Sequence, residues 1–411
     1  MREAVKDQDL TDIYIGRQPI YDRKLDVVGY ELLFRSNETN RADVTDGDLA
    51  TSQVIVNSFM EIGLDRLVGS KSAFINLTRG FILGDYPLPF PKEKIVLEIL
   101  EDIVVDDDII NAIRQFSKKG FTIALDDFVY HSGIEPLLEF ADIIKIDTLS
   151  LDKNALQSHL NILRRYKAKL LAEKVETQED FSFYKELGFD FFQGYFFCRP
   201  KILKDSRLPA NRLSLLQLIA KFQDPTTDFS ELEKIISHDV GLSYKLLRVI
   251  NSAHYSLSKK VESLSQALII LGMQNIRNWA SLIILADVND KPHELIVVSM
   301  LRAKICELLA KSLNRKDINA FFTTGLFSTL DALMDRPLRE LLTPLPLSDE
   351  INNALLHGTG ILGEALNCAI AYEQGNWDEV GFSGLTQSEI KKVYVDALAW
   401  IKEVCSQLSM E

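Results

Sequence analysis

A series of short apolar runs in the first half of the chain each ends in a carboxylate, an amide or a lysine, and this recurrence restricts the fold more than any other feature. The runs are Gly-Tyr-Glu31-Leu-Leu-Phe-Arg35, Phe-Ile-Asn76, Ile-Val-Leu-Glu98, Thr-Ile-Ala-Leu-Asp126-Asp127, Ile-Ile-Lys145-Ile-Asp147, Leu-Leu-Ala-Glu173 and Phe-Phe-Gln193-Gly194. Short β-rich runs separated by helical patterns predict parallel strands, and polar groups at the carboxyl ends of such strands are where β/α barrels keep their chemistry. The expected fold of this half is an α/β, TIM-like barrel with a polar site on one rim.

The alternation continues to about Pro200. One of its helices, DDDIINAIRQFSKKG, closes on Gly120, and the strand FTIALDD begins at once. The charged, proline-punctuated stretch CRPKILKDSRLPANR reads as a linker, and beyond it the signals are almost all helical. Asp228 or Ser230 can cap FSELEKIISHD, and Ser263 can cap SLSQALIILG, which stops at Gly272. Two domains are therefore expected: residues 1–203 as the barrel and residues 204–411 as an all-α domain.

With 46% hydrophobic and 26% charged residues the chain has the composition of a soluble globular protein. Its net charge of −13 argues against direct binding of nucleic acid, which requires a basic surface. The charged start MREAVKDQDL lacks the apolar core of a signal peptide, and polar residues interrupt the later apolar stretches, so a cytoplasmic protein without a membrane span is expected. Cys198, Cys306, Cys368 and Cys405 are widely spaced and predict buried free thiols rather than a zinc site or disulfides.

Glu31, Asn76, Glu98, Asp126, Asp127 and Glu173 are the oxygen ligands that hard divalent cations prefer. Two such cations can activate a water and neutralise a phosphodiester under in-line attack. Adjacent acids such as Asp126 and Asp127 repel each other unless a cation or lysine lies nearby. Lys145 could hold the attacking water or, with its pKa lowered by burial, help deprotonate it, and Arg35 could grip a phosphate. Taken singly, an acidic residue at a strand end is most often a solvated or helix-capping group. The recurrence of such residues at strand after strand is what points to a shared site.

These residues also carry a family resemblance. The first half resembles the EAL domain, a barrel family that hydrolyses the bacterial second messenger cyclic di-GMP to the linear dinucleotide pGpG. The signature Glu-Ala-Leu stands here as Glu31-Leu32-Leu33, followed by Arg35. The further stations are Asn76 in FINLTRG, LEILE with Glu98 and Glu101, Asp126-Asp127-Phe128, Lys145-Ile146-Asp147, Ala172 to Glu176, and Gln193-Gly194-Tyr195 through Pro200. The resemblance implies two Mg²⁺ or Mn²⁺ ions held by Glu31, Asn76, Glu98, Asp126, Asp127 and Glu173. It further implies catalytic roles for Lys145, Glu31, Glu173 and Gln193, substrate contacts from Arg35, Gln18 and Pro200, and a homodimer formed through the barrel.

Some positions depart from the family pattern. Val129-Tyr130-His131-Ser132-Gly133 stands where the family has a glycine-rich loop coupling the metal site to dimerisation, and Lys174 replaces a glycine. Besides a phosphodiesterase, a catalytically degenerate sensor of cyclic di-GMP or a scaffold is therefore an open reading.

The second half resembles the HDOD domain, a helical signalling module related to the HD phosphohydrolases, through LSYKLLRVINSAHY, SLSQALIILGMQNIRNW and AFFTTGLFSTLDAL. Where the catalytic relatives carry His-Asp, this chain reads Gly325-Leu326-Phe327-Ser328-Thr329. His238-Asp239 is expected to be a helix junction with Asp239 as N-cap. The resemblance implies a regulatory domain that contacts a protein partner and has no catalysis of its own.

Overall fold

In the computed structural model, the described residues are 13–36, 63–84, 91–131, 133–151, 153–194, 196–198, 210–251, 261, 263–286, 288 and 291–408. The expected junction at 203/204 and Pro200 lie outside them. Eight strands close into a barrel in chain order: β1 Ile13–Asp22, β2 Val27–Ser36, β3 Ser72–Leu77, β4 Ile95–Ile99, β5 Thr122–Leu125, β6 Ile143–Asp147, β7 Lys169–Glu173 and β8 Phe191–Gln193. The expectation of parallel strands fails at β1, which runs antiparallel to both β2 and β8. The cause is local. The turn Arg23–Asp26, with Leu25 at φ 69° and Asp22 N–H donating to Asp26 O at 2.9 Å, is far too short for the crossover that parallel strands need.

Strand alternation divides the barrel into an apolar floor and a polar rim. Ile20, Phe74, Val96, Ala124, Ile143 and Leu171 form one buried cluster separate from the main core. Two residues further along β3 to β7 stand Asn76, Glu98, Asp126, Lys145 and Glu173, so each strand that supplies a plug also raises a polar group above it. The helices between strands include α1 Leu64–Val68, α2 Arg79–Leu83, α3 Asp107–Lys119, α4 Glu135–Leu138, α5 Lys153–Leu163 and α6 Gln178–Glu186. Helix α3 shows how they are delimited: Asp106 accepts from Ile109 N–H, and Gly120 closes the helix at φ 85°.

The second half is helical: α7 Ala210–Gln223, α8 Phe229–Ser237, α9 Val240–Ile250, α10 Leu264–Leu271, α11 Met273–Ala286, α12 His293–Ser312, α13 Ile318–Phe327, α14 Leu330–Met334, α15 Leu338–Leu342, α16 Asp349–His357, α17 Gly360–Gln374 and α18 Gln387–Leu408. Asp228, Asp239 and Ser263 cap helices α8, α9 and α10 as the sequence predicts. Helix α12 is buried around most of its circumference, which explains why its apolar residues show little amphipathic periodicity. Helix α13 lies close against it at Gly325, where a Cβ would come within 2.5 Å of the Ala303 backbone.

The two halves pack on each other along β1 and β2. The Tyr30 hydroxyl donates to Glu294 Oε2 at 3.0 Å, and the Arg17 guanidinium stacks 4.2 Å over the Tyr30 ring. Gly16 leaves room for the Trp377 ring, since a Cβ there would stand 2.9 Å from it. The turn after α17 sets Gly375 against Leu33 of β2.

Candidate metal and phosphodiester site

Lys145 is the centre of the rim. Its side chain is fully buried, and its Nζ lies 3.2 Å from Glu31 Oε2, 2.7 Å from Glu98 Oε1, 2.6 Å from Asp126 Oδ1 and 3.1 Å from Glu173 Oε1. Four carboxylates, three on β2, β4 and β7 and one just past the end of β5, thus meet on one ammonium. Gln193 Nε2 donates to Glu31 Oε2 at 2.7 Å and Asn76 Nδ2 donates to Glu31 Oε1 at 3.2 Å. Asp127 is aimed by an unusual backbone, φ 39°, at the end of β5, and Phe128 anchors that turn by donating its N–H to Lys145 O at 2.9 Å.

The charges do not balance. Burial lowers the affinity of Lys145 for its proton, but the surrounding acids outweigh this and its pKa is raised well above the ordinary lysine value. Burial lifts Glu98 well above the usual carboxylate range, against the pull of Lys145 and with a push from Glu31 and Asp126. Burial likewise raises Asp126, and it brings Glu173 up to about 8. Glu31 alone among these four goes the other way: burial opposes its ionisation, but the Lys145 charge and the donors Gln193, Lys145 and Asn76 prevail. Lys145 therefore stands as a charged hydrogen-bond donor, which favours the water-holding role over that of a base.

Buried polar oxygens normally have partners. Here Asn76 Oδ1, Glu98 Oε2, Asp127 Oδ1 and Glu173 Oε2 are buried without a hydrogen bond. Among the described residues no three acids or histidines already form a metal-binding group, because the carboxylates converge on Lys145 instead. The orphaned oxygens and the excess of acidic groups over the single lysine are nevertheless what divalent cations would satisfy, and the donor set is all oxygen. The residues fit such a pair.

This charge arrangement predicts how cations should bind. Carboxyls that hold protons at pH 7 must release them to become ligands. Apparent Mn²⁺ or Mg²⁺ affinity should therefore rise with pH towards about 8, where Glu173 ionises, by up to about tenfold per unit for each proton released. Without cations the sign is opposite for folding stability: a carboxyl raised from 4.5 to about 8 contributes stability below 4.5 that is lost as pH rises through 8. Calorimetric titration in buffers of different ionisation enthalpy measures the protons released; an affinity flat between pH 6 and 8 would contradict the assignment.

The remaining expected residues divide clearly. Gln18 lies opposite Glu31 in the β1–β2 register, and its Oε1 accepts from Gln193 Nε2 at 3.0 Å. Its own amide donates to Gln374 O at the end of α17, at 3.3 Å. Arg35 belongs to β2 next to the rim, but its side chain and Pro200 lie outside the described residues. Gly194 has φ 147°, and a Cβ there would stand 2.1 Å from Val175 O, so only glycine lets β8 end where it holds Gln193. Gly194→Ala should destabilise the protein by at least about 2 kcal/mol, seen in urea unfolding; an unchanged midpoint would mean the strand end can shift freely. Lys174, where the family has glycine, keeps the left-handed backbone at φ 55° and pairs with Asp147 at 2.6 Å.

The profile of the EAL domain family matches residues 86–200, and that of the HDOD domain matches residues 208–334. Over nearly its whole length the chain is similar to two proteins. It is 35% identical to the uncharacterized protein YuxH of Bacillus subtilis (strain 168), covering 94% of this chain and 98% of that one. It is 34% identical to the cyclic di-GMP phosphodiesterase CdgJ of Vibrio cholerae serotype O1, covering 95% of this chain and 93% of that one. The chain belongs to the EAL–HDOD family. A crystal structure of a standalone EAL protein from Vibrio cholerae O395 in its c-di-GMP-bound form aligns with 46% of this chain and 92% of that one, at 23% identity and a TM-score of 0.38.

In the HDOD half, the positions where catalytic relatives carry His-Asp make hydrogen bonds within the helical packing. Ser328 Oγ donates to Gly325 O at 2.7 Å, and the Thr329 and Ser299 hydroxyls form a short buried hydrogen bond. These positions tie α13 and α14 to α12. His238 Nδ1 is bonded to Lys234 O and Asp239 caps α9, so that pair serves a helix junction. Asn251 donates to Leu247 O and Val261 O and accepts from Val261 N–H, a clamp that ties the end of α9 to Val261.

Proposed function

We propose that this EAL–HDOD protein is a metal-dependent phosphodiesterase that hydrolyses cyclic di-GMP to pGpG, with its helical half as the regulator. One observation carries the reading: Glu31, Glu98, Asp126 and Glu173 converge on Lys145 at the carboxyl rim, beside buried acidic oxygens that have no partner. When bound at Glu31, Asn76, Glu98, Asp126, Asp127 and Glu173, a pair of Mg²⁺ or Mn²⁺ ions would neutralise phosphate charge and acidify a water. Lys145 would hold that water through its ammonium, and Gln193 would fix the Glu31 carboxylate from the opposite side. The water oxygen forms the new bond to phosphorus, the P–O bond to a ribose breaks, and the proton ends on the departing hydroxyl. The name of the similar protein CdgJ supports cyclic di-GMP as the substrate.

A second reading, a cyclic di-GMP sensor or scaffold, is favoured by the contact of Gln374 O with Gln18. That contact engages an amide which the family resemblance assigns to substrate. A barrel dimer would be the natural way for such a protein to act, and the apolar side chains exposed after β5 and β6, Val129 and Leu149, are groups it could cover. Incubation of full-length protein with cyclic di-GMP and Mn²⁺, followed by chromatography, separates the two. Metal-dependent pGpG establishes the enzyme; bound but intact cyclic di-GMP establishes the sensor.

A further inference from the structure

We infer that the cleft between the two domains is a binding site for a small organic anion with an apolar body. The cleft has a volume of about 640 Å³ and lies on the barrel side where β1 turns into β2, roofed by α12 and α18. That volume is within the usual range for small-molecule sites, which favour domain junctions. Its walls are apolar on both sides, with Val27 and Val68 from the barrel facing Val297, Leu398 and Ile401 from the helices.

The charge on the lining sets the ligand's sign. Lys94 is neutralised by Asp65 at 2.6 Å, and Glu294 accepts the Tyr30 hydroxyl beside Arg17. Asp26 lines the cleft at the exposed turn. Lys402 donates to Asp65 O at 3.3 Å and its charge also helps lower the pKa of the Asp65 carboxyl. Arg66 makes no ion pair among the described residues, and Lys71 acts with Arg17 on the Glu294 carboxyl without touching it as an ion pair. Arg17, Arg66, Lys71, Lys94 and Lys402 stand against Asp26, Asp65 and Glu294, so the lining carries an excess of positive charge in a chain whose net charge is −13. A phosphate or carboxylate held by Arg66, Lys71 and Lys402 would place an apolar body against the valines and leucine below.

Such a ligand would also lie one residue from the rim site. Arg17 and Tyr30 line the cleft, while their neighbours Gln18 and Glu31 face the barrel interior and bond to Gln193. Occupancy would therefore press on the strand pair that carries Glu31; this consequence, unlike the binding itself, rests on the phosphodiesterase reading.

The test uses 8-anilinonaphthalene-1-sulfonate, an apolar anion that fluoresces when shielded from water, titrated into the full-length protein. Saturable one-to-one binding is expected, with affinity reduced at least tenfold by the surface double variant Arg66→Glu/Lys71→Glu at unchanged melting temperature. Val297→Trp, which fills the cavity, should abolish it, and Glu31→Ala should leave it intact. Competition by decanoate would identify an aliphatic carboxylate as the ligand type, and competition by GMP a nucleoside phosphate. Wild-type affinity in the charge-reversed variant, or loss of binding in Glu31→Ala alone, would overturn the proposal. No step of this test requires turnover.

Discussion

Glu31→Ala should lower hydrolysis of cyclic di-GMP by on the order of 10³-fold or more, while leaving the protein folded. Groups that merely support metal ligands already cost about 10- to 100-fold when removed, and Glu31 is placed to be a ligand itself. It is the only one of the four acids around Lys145 whose environment favours the charged form, through Lys145, Gln193 and Asn76. Its loss therefore removes the one carboxylate of these four whose surroundings favour the charged form that a cation binds. The effect on stability should be small, within about 2 kcal/mol: three donors lose an acceptor, but repulsion among the remaining acids falls. Turnover by chromatographic assay and the urea midpoint measure the two effects separately. Near-normal turnover from a folded Glu31→Ala protein would remove the site from the barrel rim.

Much of this site is legible in the sequence because strand period and barrel closure leave little freedom. An inward-facing residue at the carboxyl end of each strand must reach the same rim, so the recurrence of Asn76, Glu98, Asp126, Lys145 and Glu173 implies convergence before any distance is known. What pattern cannot give is direction or charge state. The reversed β1 follows from a turn of a few residues, and its effect is to bring Gln18 opposite Glu31. The raised pKa of Lys145 depends on how many acids share its cavity, a property of packing alone.

The domain contact was illegible for a different reason. Gln374 is hundreds of positions from Gln18 and carries no motif; its backbone carbonyl, not its side chain, makes the contact. A hydrogen-bonded series now runs from α17 through Gln18 and Gln193 to Glu31. Gly375 and Trp377 also pack on Leu33 and Gly16, so a shift of the helical half along β1 would act on the segment that carries Gln18. For the proposed regulation by the helical half, this hydrogen-bonded series would be the physical route to the rim.

Lys145→Met tests the charge balance that the whole rim depends on. Removing a cation from a fully buried cluster while its partners stay costs about 3–5 kcal/mol, because the acids left behind have neither water nor a counter-charge. The acids can avoid this cost by keeping their protons, so the loss must depend on pH. Carboxyls raised above their unfolded values stabilise the fold at low pH and lose that contribution as pH rises through their folded values, about 8 for Glu173 even with Lys145 present. The urea midpoint of Lys145→Met, measured without cations, should therefore lie near wild type at pH 5 and fall well below it at pH 8. Mn²⁺ should restore most of the difference at pH 8 by supplying the missing positive charge, yet turnover should remain about 10²- to 10⁴-fold below wild type, since no group then holds the attacking water. Equal stability of the two proteins at pH 8 would mean that Lys145 does not balance these acids, and rescue of turnover by Mn²⁺ would mean that it is structural alone.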